Sequence, residues 1–303
     1  MNFDTPILFI IFNRPDTTKR VFEAIRKLKP LYLYVAADGP RLSRPSEKDL
    51  CQQTRNIIKL VDWPCKVNTL FQDNNLGCKM AVCTAITWFF NNVKQGIVLE
   101  DDCLPNPSFF PYCSQLLDKY ANDKKIMTIS GDNFQIEKSH DSYYFSKYSH
   151  IWGWASWARA WKHYDVKIST WPETRKKDLF KKILPNMIVK FYWYQIFDLV
   201  HNNKINTWDY QWLYCIWKNN GITIIPSVNL ISNIGFGNNP THTYNKHSSF
   251  ANMETYKMTF PLLHPKNQKI NIKYDNFTEK HHFKINLSRY LFMAVYHRIF
   301  SIL

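Results

Sequence analysis

Three consecutive carboxylates, Glu100, Asp101 and Asp102, follow an apolar run at positions 96–99. Like charges this close repel, and the repulsion raises their pKa values unless a cation offsets it. Mg²⁺ and Mn²⁺ prefer oxygen ligands and commonly bridge one or two carboxylates to substrate phosphates. The triplet therefore predicts a site for Mn²⁺ or Mg²⁺. An acidic turn in front of a helix near Ser108 is the plain alternative, and nucleotidyltransferases and some nucleases also hold metals in this way.

A fourth carboxylate, Asp209, stands between Trp208 and Trp212 in the sequence. A carboxylate that is partly removed from water has a raised pKa and can act as a general base near neutral pH. The neighbouring indole rings can stack on sugar faces. The same residues also suit a helix turn that packs two tryptophans into the core, with Asp209 as its cap. From the residues alone both interpretations stay open.

The elements that position these residues alternate in period over the first hundred positions. Four continuous apolar runs are typical of strands buried on both faces, and the segments between them predict helices. The spacing from strand to strand, about 30 residues, is that of a βαβ unit. We therefore predict an α/β fold with a mostly parallel central sheet flanked by helices. The runs occupy positions 6–12, 31–37, 66–71 and 96–99.

In such a sheet, functional side chains gather just past the carboxyl ends of the strands. Arg14, Asp38 and the acidic triplet all stand at such points. Beyond residue 130 the pattern loosens. Aromatic residues crowd positions 143–171, and a basic segment at 173–190 predicts a helix. Farther on, a short strand fits 222–225 and a Gly- and Asn-rich loop spans 233–245.

The chain carries 39 Lys and Arg residues against 24 Asp and Glu residues, a formal net charge of +15. This excess favours polyanionic partners, such as nucleotide phosphates, anionic lipid headgroups or nucleic acid. No zinc-finger, RNP or helix-turn-helix pattern supports specific nucleic-acid binding. Seven cysteines without a C-x-x-C pair predict reduced thiols. We expect a cytoplasmic protein, because neither a signal peptide nor a run of about 18 apolar residues is evident.

Five motifs together give the chain a specific resemblance to a known family. It resembles the bacterial relatives of the eukaryotic β-1,2-N-acetylglucosaminyltransferase I family, which are inverting GT-A glycosyltransferases. The similarity runs from about residue 6 to about residue 245. The motifs are Ile7 to Arg14, Ala37-Asp38-Gly39, Val98 to Asp102, Trp152-Gly153-Trp154, and Trp208-Asp209 with the later Pro226, Gly235-Phe236-Gly237 and Thr241-His242.

The resemblance implies metal-assisted transfer of a sugar from a UDP-sugar to a hydroxyl of a glycan or lipid-linked acceptor, with N-acetylglucosamine as the first guess. It implies that Asp209 is the catalytic base and that Asp102 is the direct ligand of Mn²⁺ or Mg²⁺. Lys79 stands where the family has a histidine near the nucleotide. The other implied donor-binding residues are Arg14 at the diphosphate, Asp38 at the uracil, Glu100 and Asp101 at the sugar and ribose, Trp208 in the motif with Asp209, and Thr241 with His242 in a loop over the diphosphate.

On this basis we predict a GT-A catalytic domain over residues 1–260, with a nucleotide-sugar half at about 1–130 and an acceptor half at about 131–260. A basic C-terminal extension follows at 261–303. Residues 281–303 contain no acid, which suits a helix lying on an anionic membrane surface. A helix docked on the catalytic domain is the open alternative. The expected setting is bacterial polysaccharide or glycolipid assembly, either free in the cytoplasm or peripheral at the inner face of the membrane.

Two other functions are compatible with parts of the sequence. A sugar-phosphate nucleotidyltransferase shares the fold style and the acidic metal site. It should carry a Gly-rich phosphate loop after the first strand, where this chain has Asn13-Arg14-Pro15-Asp16. A non-enzymatic polyanion-binding protein would explain the positive charge, and it predicts strongly salt-dependent binding.

Overall fold

The computed structural model describes residues 3–137, 139–236, 250–286 and 288. In this part of the chain, eight strands form one central sheet and two short strands form a separate pair. The strands are β1 (Ile7–Ile11), β2 (Tyr32–Ala37), β3 (Lys66–Phe71), β4 (Gln95–Glu100), β5 (Cys103–Pro105), β6 (Ile126–Ser130), β7 (Tyr143–Ser146), β8 (Trp154–Trp157), β9 (Ile222–Pro226) and β10 (Ile231–Asn233).

Helices cover both faces of the central sheet. The described helices are α1 (Pro15–Leu28), α2 (Glu47–Asn56), α3 (Gly77–Asn92), α4 (Phe109–Lys119), α5 (Ala158–Trp161), α6 (Trp171–Lys176), α7 (Met187–His201), α8 (Asp209–Lys218) and α9 (Ile272–Phe277). A 3-10 turn, Ile57–Leu60, follows α2, and a π-helical turn, Thr278–His282, follows α9.

The strand order is β3-β2-β1-β4-β8-β6-β9-β7. The pairings make six of these strands point one way, while β7 and β8 run against them. The predicted α/β class, with a mostly parallel sheet flanked by helices, is therefore confirmed. The four strands predicted in the first hundred residues all form, with ends shifted by at most one residue from the predicted runs.

The topology creates a crevice between β1 and β4. The chain runs outward from β1 through β2 to β3 and then returns to place β4 on the other side of β1. In open α/β sheets, ligands bind at the carboxyl ends of the strands at such a reversal. Ile10 pairs with Glu100, and Ile11 pairs with Ala37, so the residues after these three strands meet at one edge of the sheet.

Period-two alternation along β1 divides its side chains between two cores. Ile7, Phe9 and Ile11 belong to the core under α1 and α4, and Leu8 and Ile10 belong to the core under α3. All five are at most 9% exposed. Burying each of them contributes roughly 1.5–3 kcal/mol. Together they fix β1 firmly beneath the crevice.

The prediction of one helix over residues 173–190 is wrong for the middle of that segment. α6 ends at Lys176 and α7 begins at Met187, and the chain between them turns instead of continuing as a helix. Pro185 lacks an N–H and fits poorly inside a helix. Asn186 then caps α7, because its side-chain oxygen accepts from the N–H groups of Ile188 at 2.9 Å and Val189 at 3.3 Å.

The described part of the predicted C-terminal extension packs against the central sheet. Asp275 of α9 accepts hydrogen bonds from Ser146 Oγ at 2.6 Å and from the backbone N–H of Lys147 at 3.1 Å. Glu279 accepts from Tyr148 Oη at 2.8 Å and pairs with the Lys147 ammonium at 2.8 Å. The proposed boundary at residue 260 stays a prediction. Residues 287 and 289–303, which carry most of the predicted interfacial helix, lie outside the described residues.

Two further findings bear on the sequence predictions. All seven cysteines are unpaired, as expected for reduced thiols, and five of them are buried. Within the described ranges, no helix combines the length and the apolar character needed to cross a bilayer.

Gly153 and Gly77 give a matched test of packing beside the crevice. Both have positive φ, +60° and +76°. A Cβ at Gly153 would lie 2.6 Å from Cδ1 of the fully buried Ile231, whereas one at Gly77 meets nothing within 4 Å. We expect Gly77→Ala to cost about 1 kcal/mol from backbone strain alone. Gly153→Ala should cost about 1–3 kcal/mol more from overpacking.

Urea unfolding of both variants, followed by circular dichroism, measures this difference. Equal losses of unfolding free energy in the two variants would contradict the close contact between Gly153 and Ile231.

Candidate functional site

A cavity of about 540 Å³ opens at the carboxyl ends of β1, β2 and β4. It lies at the topological reversal described above. We call it the donor cavity, after the nucleotide-sugar donor that the sequence leads us to expect at these strand ends. Seven of the residues singled out in the sequence line it: Arg14, Asp38, Glu100, Asp101, Asp102, Trp208 and Asp209.

Arg14 joins the end of β1 to the end of β4. Its guanidinium pairs with Asp101 through Nη2, and with Asp102 through Nη1 at 3.0 Å. Burial alone would lower the pKa of Arg14, but the two carboxylates outweigh it and the pKa is raised. The buried Nε has no hydrogen-bond partner among the described residues. A donor left unpaired in this way costs free energy, so the guanidinium can still bind a ligand oxygen.

The acidic residues of the cavity outnumber its cationic ones. Burial, followed by the charges of Asp102 and Asp101, raises the pKa of Glu100. Burial also raises the pKa of Asp101, although the Arg14 guanidinium opposes that shift. Besides the triplet, Asp38 and Asp209 line the cavity, and Arg14 and Arg41 are its lining guanidinium groups. Five carboxylates against two guanidinium groups leave a formal excess of three negative charges when all are ionised.

An anionic cavity cannot easily receive an anionic diphosphate without a cation. The hard oxygens of the triplet match Mg²⁺ or Mn²⁺, and within the described ranges the hydrogen-bond donor to Asp102 Oδ1 is the weak donor Cys103 Sγ at 3.5 Å. Among the described residues, no group of three or more His, Cys, Asp or Glu side chains is arranged to hold a metal. The donor set therefore fits one carboxylate plus ligand phosphates, and it does not fit a metal cage built only from protein.

Asp38 stands directly after β2, and its side chain is engaged by the protein itself. One oxygen accepts from the N–H groups of Gly39 and Leu76, both at 2.8 Å. The other accepts from Asn75 Nδ2 at 2.8 Å and from Gly77 N–H at 3.2 Å. A carboxylate has about four acceptor sites, and all of them are used here. Asp38 thus satisfies the N-terminus of α3, and its predicted uracil contact stays a prediction that this geometry does not support.

Asp209 is the first residue of α8 and lies in the wall of the donor cavity, half-buried. The hydroxyl of Thr207 donates to its Oδ1. The amino end of α8 carries positive partial charge, which favours an ionised carboxylate. A carboxylate beside a ligand cavity is placed to accept a proton from a hydroxyl.

The remaining predicted donor-binding residues stand differently. Trp208 is 3% exposed and stacks on Trp154, with ring centroids 5.8 Å apart, so most of its surface lies in the core. Lys79 does not line the donor cavity, and its ammonium donates to Asn203 Oδ1 at 3.1 Å. Its role at the nucleotide stays a prediction without support from this placement. Thr241 and His242 lie outside the described residues.

Asn233 lines the cavity and Gly235 lies beside its ion pair, and neither was assigned a role from the sequence. β10 pairs with β5 beside the triplet and carries Asn233 into the cavity wall. Gly235 follows, and a Cβ there would lie 2.3 Å from Asp102 Oδ2 and 2.9 Å from Arg14 Nη1. A side chain at 235 would thus collide with the ion pair. The Gly235-Phe236-Gly237 motif was the one feature of the sequence that pointed to this segment. Strands of three residues show no periodic pattern, so the pairing of β10 with β5 beside the triplet could not be predicted.

No protein-family model matches this chain, and no curated protein matches it. Among solved structures, it is similar to a cytidylyltransferase from Leptospira borgpetersenii serovar Hardjo-bovis, with 10% identity over 53% of this chain and 63% of that one, at a TM-score of 0.33. It is similar to residues 1–349 of TarS from S. aureus, with 8% identity, coverage of 73% and 58%, and a TM-score of 0.39.

Mouse xyloside xylosyltransferase 1 in its apo form is a third similar structure, with 10% identity, coverage of 71% and 81%, and a TM-score of 0.35. The chain spans less than two thirds of the first two proteins. At these TM-scores the similarities give no argument for glycosyl transfer or for nucleotidyl transfer. The predicted relation to the β-1,2-N-acetylglucosaminyltransferase I family is not confirmed by them.

Asp38→Asn tests the anchoring role of this carboxylate. An amide would turn –NH₂ toward two N–H donors that now reach a carboxylate oxygen, so we expect a loss of about 1–3 kcal/mol of unfolding free energy. Thermal unfolding followed by circular dichroism measures it. Asp73→Asn, an exposed residue of the adjoining loop, is the matched control. A stable Asp38→Asn variant that no longer prefers UDP to CDP would instead favour the nucleobase role.

Proposed function

We propose that this chain is a glycosyltransferase that uses a nucleotide-sugar donor and inverts the anomeric centre. One observation carries the proposal: Asp209 lies in the wall of the same cavity as the Arg14–Asp101–Asp102 ion pair. A candidate phosphate-binding guanidinium and a candidate base thus line the same cavity. A UDP-sugar is the proposed donor, with N-acetylglucosamine as the first candidate sugar, and a hydroxyl of a glycan or lipid-linked glycan is the proposed acceptor.

The cavity suits such a donor in size and chemistry. Small-molecule sites commonly measure about 300–1,000 Å³, and this one measures about 540 Å³. Arg14, with an unpaired Nε, is the proposed contact for the diphosphate. Asp102 would hold Mn²⁺ or Mg²⁺ together with the diphosphate, and the metal would supply charge stabilisation for the departing group.

The proposed reaction is a single displacement. The acceptor hydroxyl oxygen forms a bond with the anomeric carbon, and the bond from that carbon to the diphosphate oxygen breaks. The electron pair leaves with UDP, and the hydroxyl proton passes to the Asp209 carboxylate. Thr207 donates to the same carboxylate, which fixes its orientation for this step.

Nucleotidyl transfer is the second candidate, because it also needs a nucleotide site and acidic residues. It is less favoured here because the turn between β1 and α1, Phe12-Asn13-Arg14, has no glycine to bring backbone N–H groups to a triphosphate. It also leaves Asp209 without a role. Release of pyrophosphate from UTP and a sugar phosphate would favour this candidate, whereas release of UDP from a UDP-sugar would exclude it.

Asp209→Asn should remove the base and keep the donor site. We expect release of UDP from UDP-N-acetylglucosamine to fall by about 10²–10⁴-fold, as for loss of a general base. The affinity for UDP, measured by isothermal titration calorimetry with Mn²⁺, should stay within about twofold because Asp209 is not a proposed diphosphate contact. Asp49→Asn, an exposed aspartate in the first turn of α2, is the matched control. Full turnover in Asp209→Asn would refute the assigned base.

Donor binding should depend on pH through Glu100. Burial raises the pKa of Glu100, so the cavity gains a negative charge as the pH rises through this raised pKa. The added charge opposes the binding of an anionic donor. Without metal, we expect the affinity for UDP to fall on the order of tenfold between pH 7 and pH 9. Mg²⁺ should restore it.

Glu100→Gln should flatten this profile, because the amide stays neutral at every pH. Calorimetric titration of UDP at three pH values measures the slope, and Glu173→Gln on the exposed side of α6 serves as the control. An unchanged slope in Glu100→Gln would assign the pH dependence to another group.

A further inference from the structure

A second, smaller cavity adjoins the donor cavity. It measures about 150 Å³, which is room for about five water molecules and comparable to one sugar ring. Ile151, Trp152 and Asp209 line both cavities. The candidate base therefore stands between the two spaces, so that a group in either one can approach it.

Three residues that line the second cavity each carry a buried polar atom without a hydrogen-bond partner in the described part of the chain. These atoms are Oδ1 of Asp132, Nδ1 of His150 and Nδ1 of His282. Asp132 is 2% exposed and His150 is 5% exposed. His150 Nδ1 lies 3.6 Å from Asp132 Oδ2, a distance longer than a hydrogen bond. Buried polar groups in native proteins are nearly always satisfied, so these atoms indicate a polar ligand.

The protonation states of these groups limit the charge of that ligand. Burial raises the pKa of Asp132 well above its ordinary value. Burial lowers the pKa of His150 to about 3 and that of His282 to about 4. The cluster therefore offers hydrogen-bond donors and acceptors, and burial opposes a charge on each of its three groups. Neutral hydroxyl groups match such a site, whereas a phosphate or carboxylate would find no cation in the cluster.

Aromatic rings form much of the remaining wall. Phe134, Trp152 and Trp193 line the cavity, and Phe134 stacks on His282 with centroids 4.2 Å apart. Aromatic rings pack well against the C–H groups of sugars while polar groups bind the hydroxyls. The C-terminal segment contributes His282 and Phe283, so the anchoring of the Thr278–His282 turn by Glu279 also shapes this cavity.

We propose that the second cavity is the acceptor subsite, and that it binds one uncharged sugar ring of a glycan through Asp132, His150 and His282, with one hydroxyl directed at Asp209. The inference rests on the proposed function, since it assigns the acceptor of that reaction. The hydroxyl at Asp209 gives its proton to the carboxylate as its oxygen bonds to the anomeric carbon of the donor, and UDP leaves with the electron pair.

Saturation-transfer NMR on the full chain tests the ligand class directly. The probes are four neutral glycosides, the methyl β-D-glucoside, β-D-galactoside, α-D-mannoside and N-acetyl-β-D-glucosaminide, with methyl β-D-glucuronide as the charged comparison. Each probe is measured with and without UDP and Mg²⁺, which is diamagnetic and leaves the NMR signals unbroadened. We expect at least one neutral glycoside to bind and the glucuronide not to bind. Binding of none of the neutral glycosides, or preferred binding of the glucuronide, overturns the inference.

Two variants locate the binding. His150→Phe removes Nδ1 and keeps a buried ring, and Ser149→Leu fills the cavity from a half-buried position while leaving the side chains of Asp132, His150 and His282 in place. We expect each to weaken glycoside binding at least fivefold and to raise the acceptor KM, while the affinity for UDP stays within about twofold because neither residue lines the donor cavity. His163→Phe, at an exposed histidine, is the control. Undiminished glycoside binding in both variants overturns the assignment.

The two proposals fail in different ways. Absence of UDP binding in every metal condition refutes the proposed function, whatever the glycosides do. Intact UDP binding and UDP release, combined with no effect of the cavity variants on glycosides, leaves the proposed function standing and refutes only the acceptor subsite. The wild-type measurements decide on the ligand class even if one variant does not fold.

Discussion

The ion pair between Arg14 and the carboxylates of Asp101 and Asp102 is the interaction on which the site depends. It ties the loop after β1 to the loop after β4 across the point where the strand order reverses. One guanidinium cannot neutralise the acidic triplet, so the edge of the sheet stays anionic. Gly235 crosses directly above the pair, and its missing side chain is what allows that approach.

Two buried aspartates show why residue type alone does not define a role. Asp38 lies in the donor cavity, but four protein donors occupy its oxygens, and it serves the start of α3. Asp132 is buried as deeply, yet Oδ1 has no partner among the described residues. The first aspartate is explained by folding alone. The second is explained only if something else completes its hydrogen bonding.

The parts of the molecule that could be predicted from the sequence are those with a local signal. Strands β1 to β4 are continuous apolar runs. Because ligands bind at the carboxyl ends of such strands, Arg14 and the triplet could be predicted to share one site, and they line one cavity. β6 and β8 were not predicted, because they span only five and four residues and show neither a continuous apolar run nor a strict alternation. The grouping of Asp132, His150 and His282 could not be foreseen, since tertiary contacts join residues far apart in the chain and no pattern links them.

The segment from α9 to Phe283 also has a consequence for how the site comes into being during synthesis. It supplies a wall to the second cavity from more than a hundred residues beyond Asp132, by way of anchors on Ser146 and Lys147. A nascent chain made only as far as β10 contains every residue of the ion pair at the sheet edge. It still lacks His282 and Phe283, so the second cavity beside Asp209 can be completed only after the segment from α9 onward has been made.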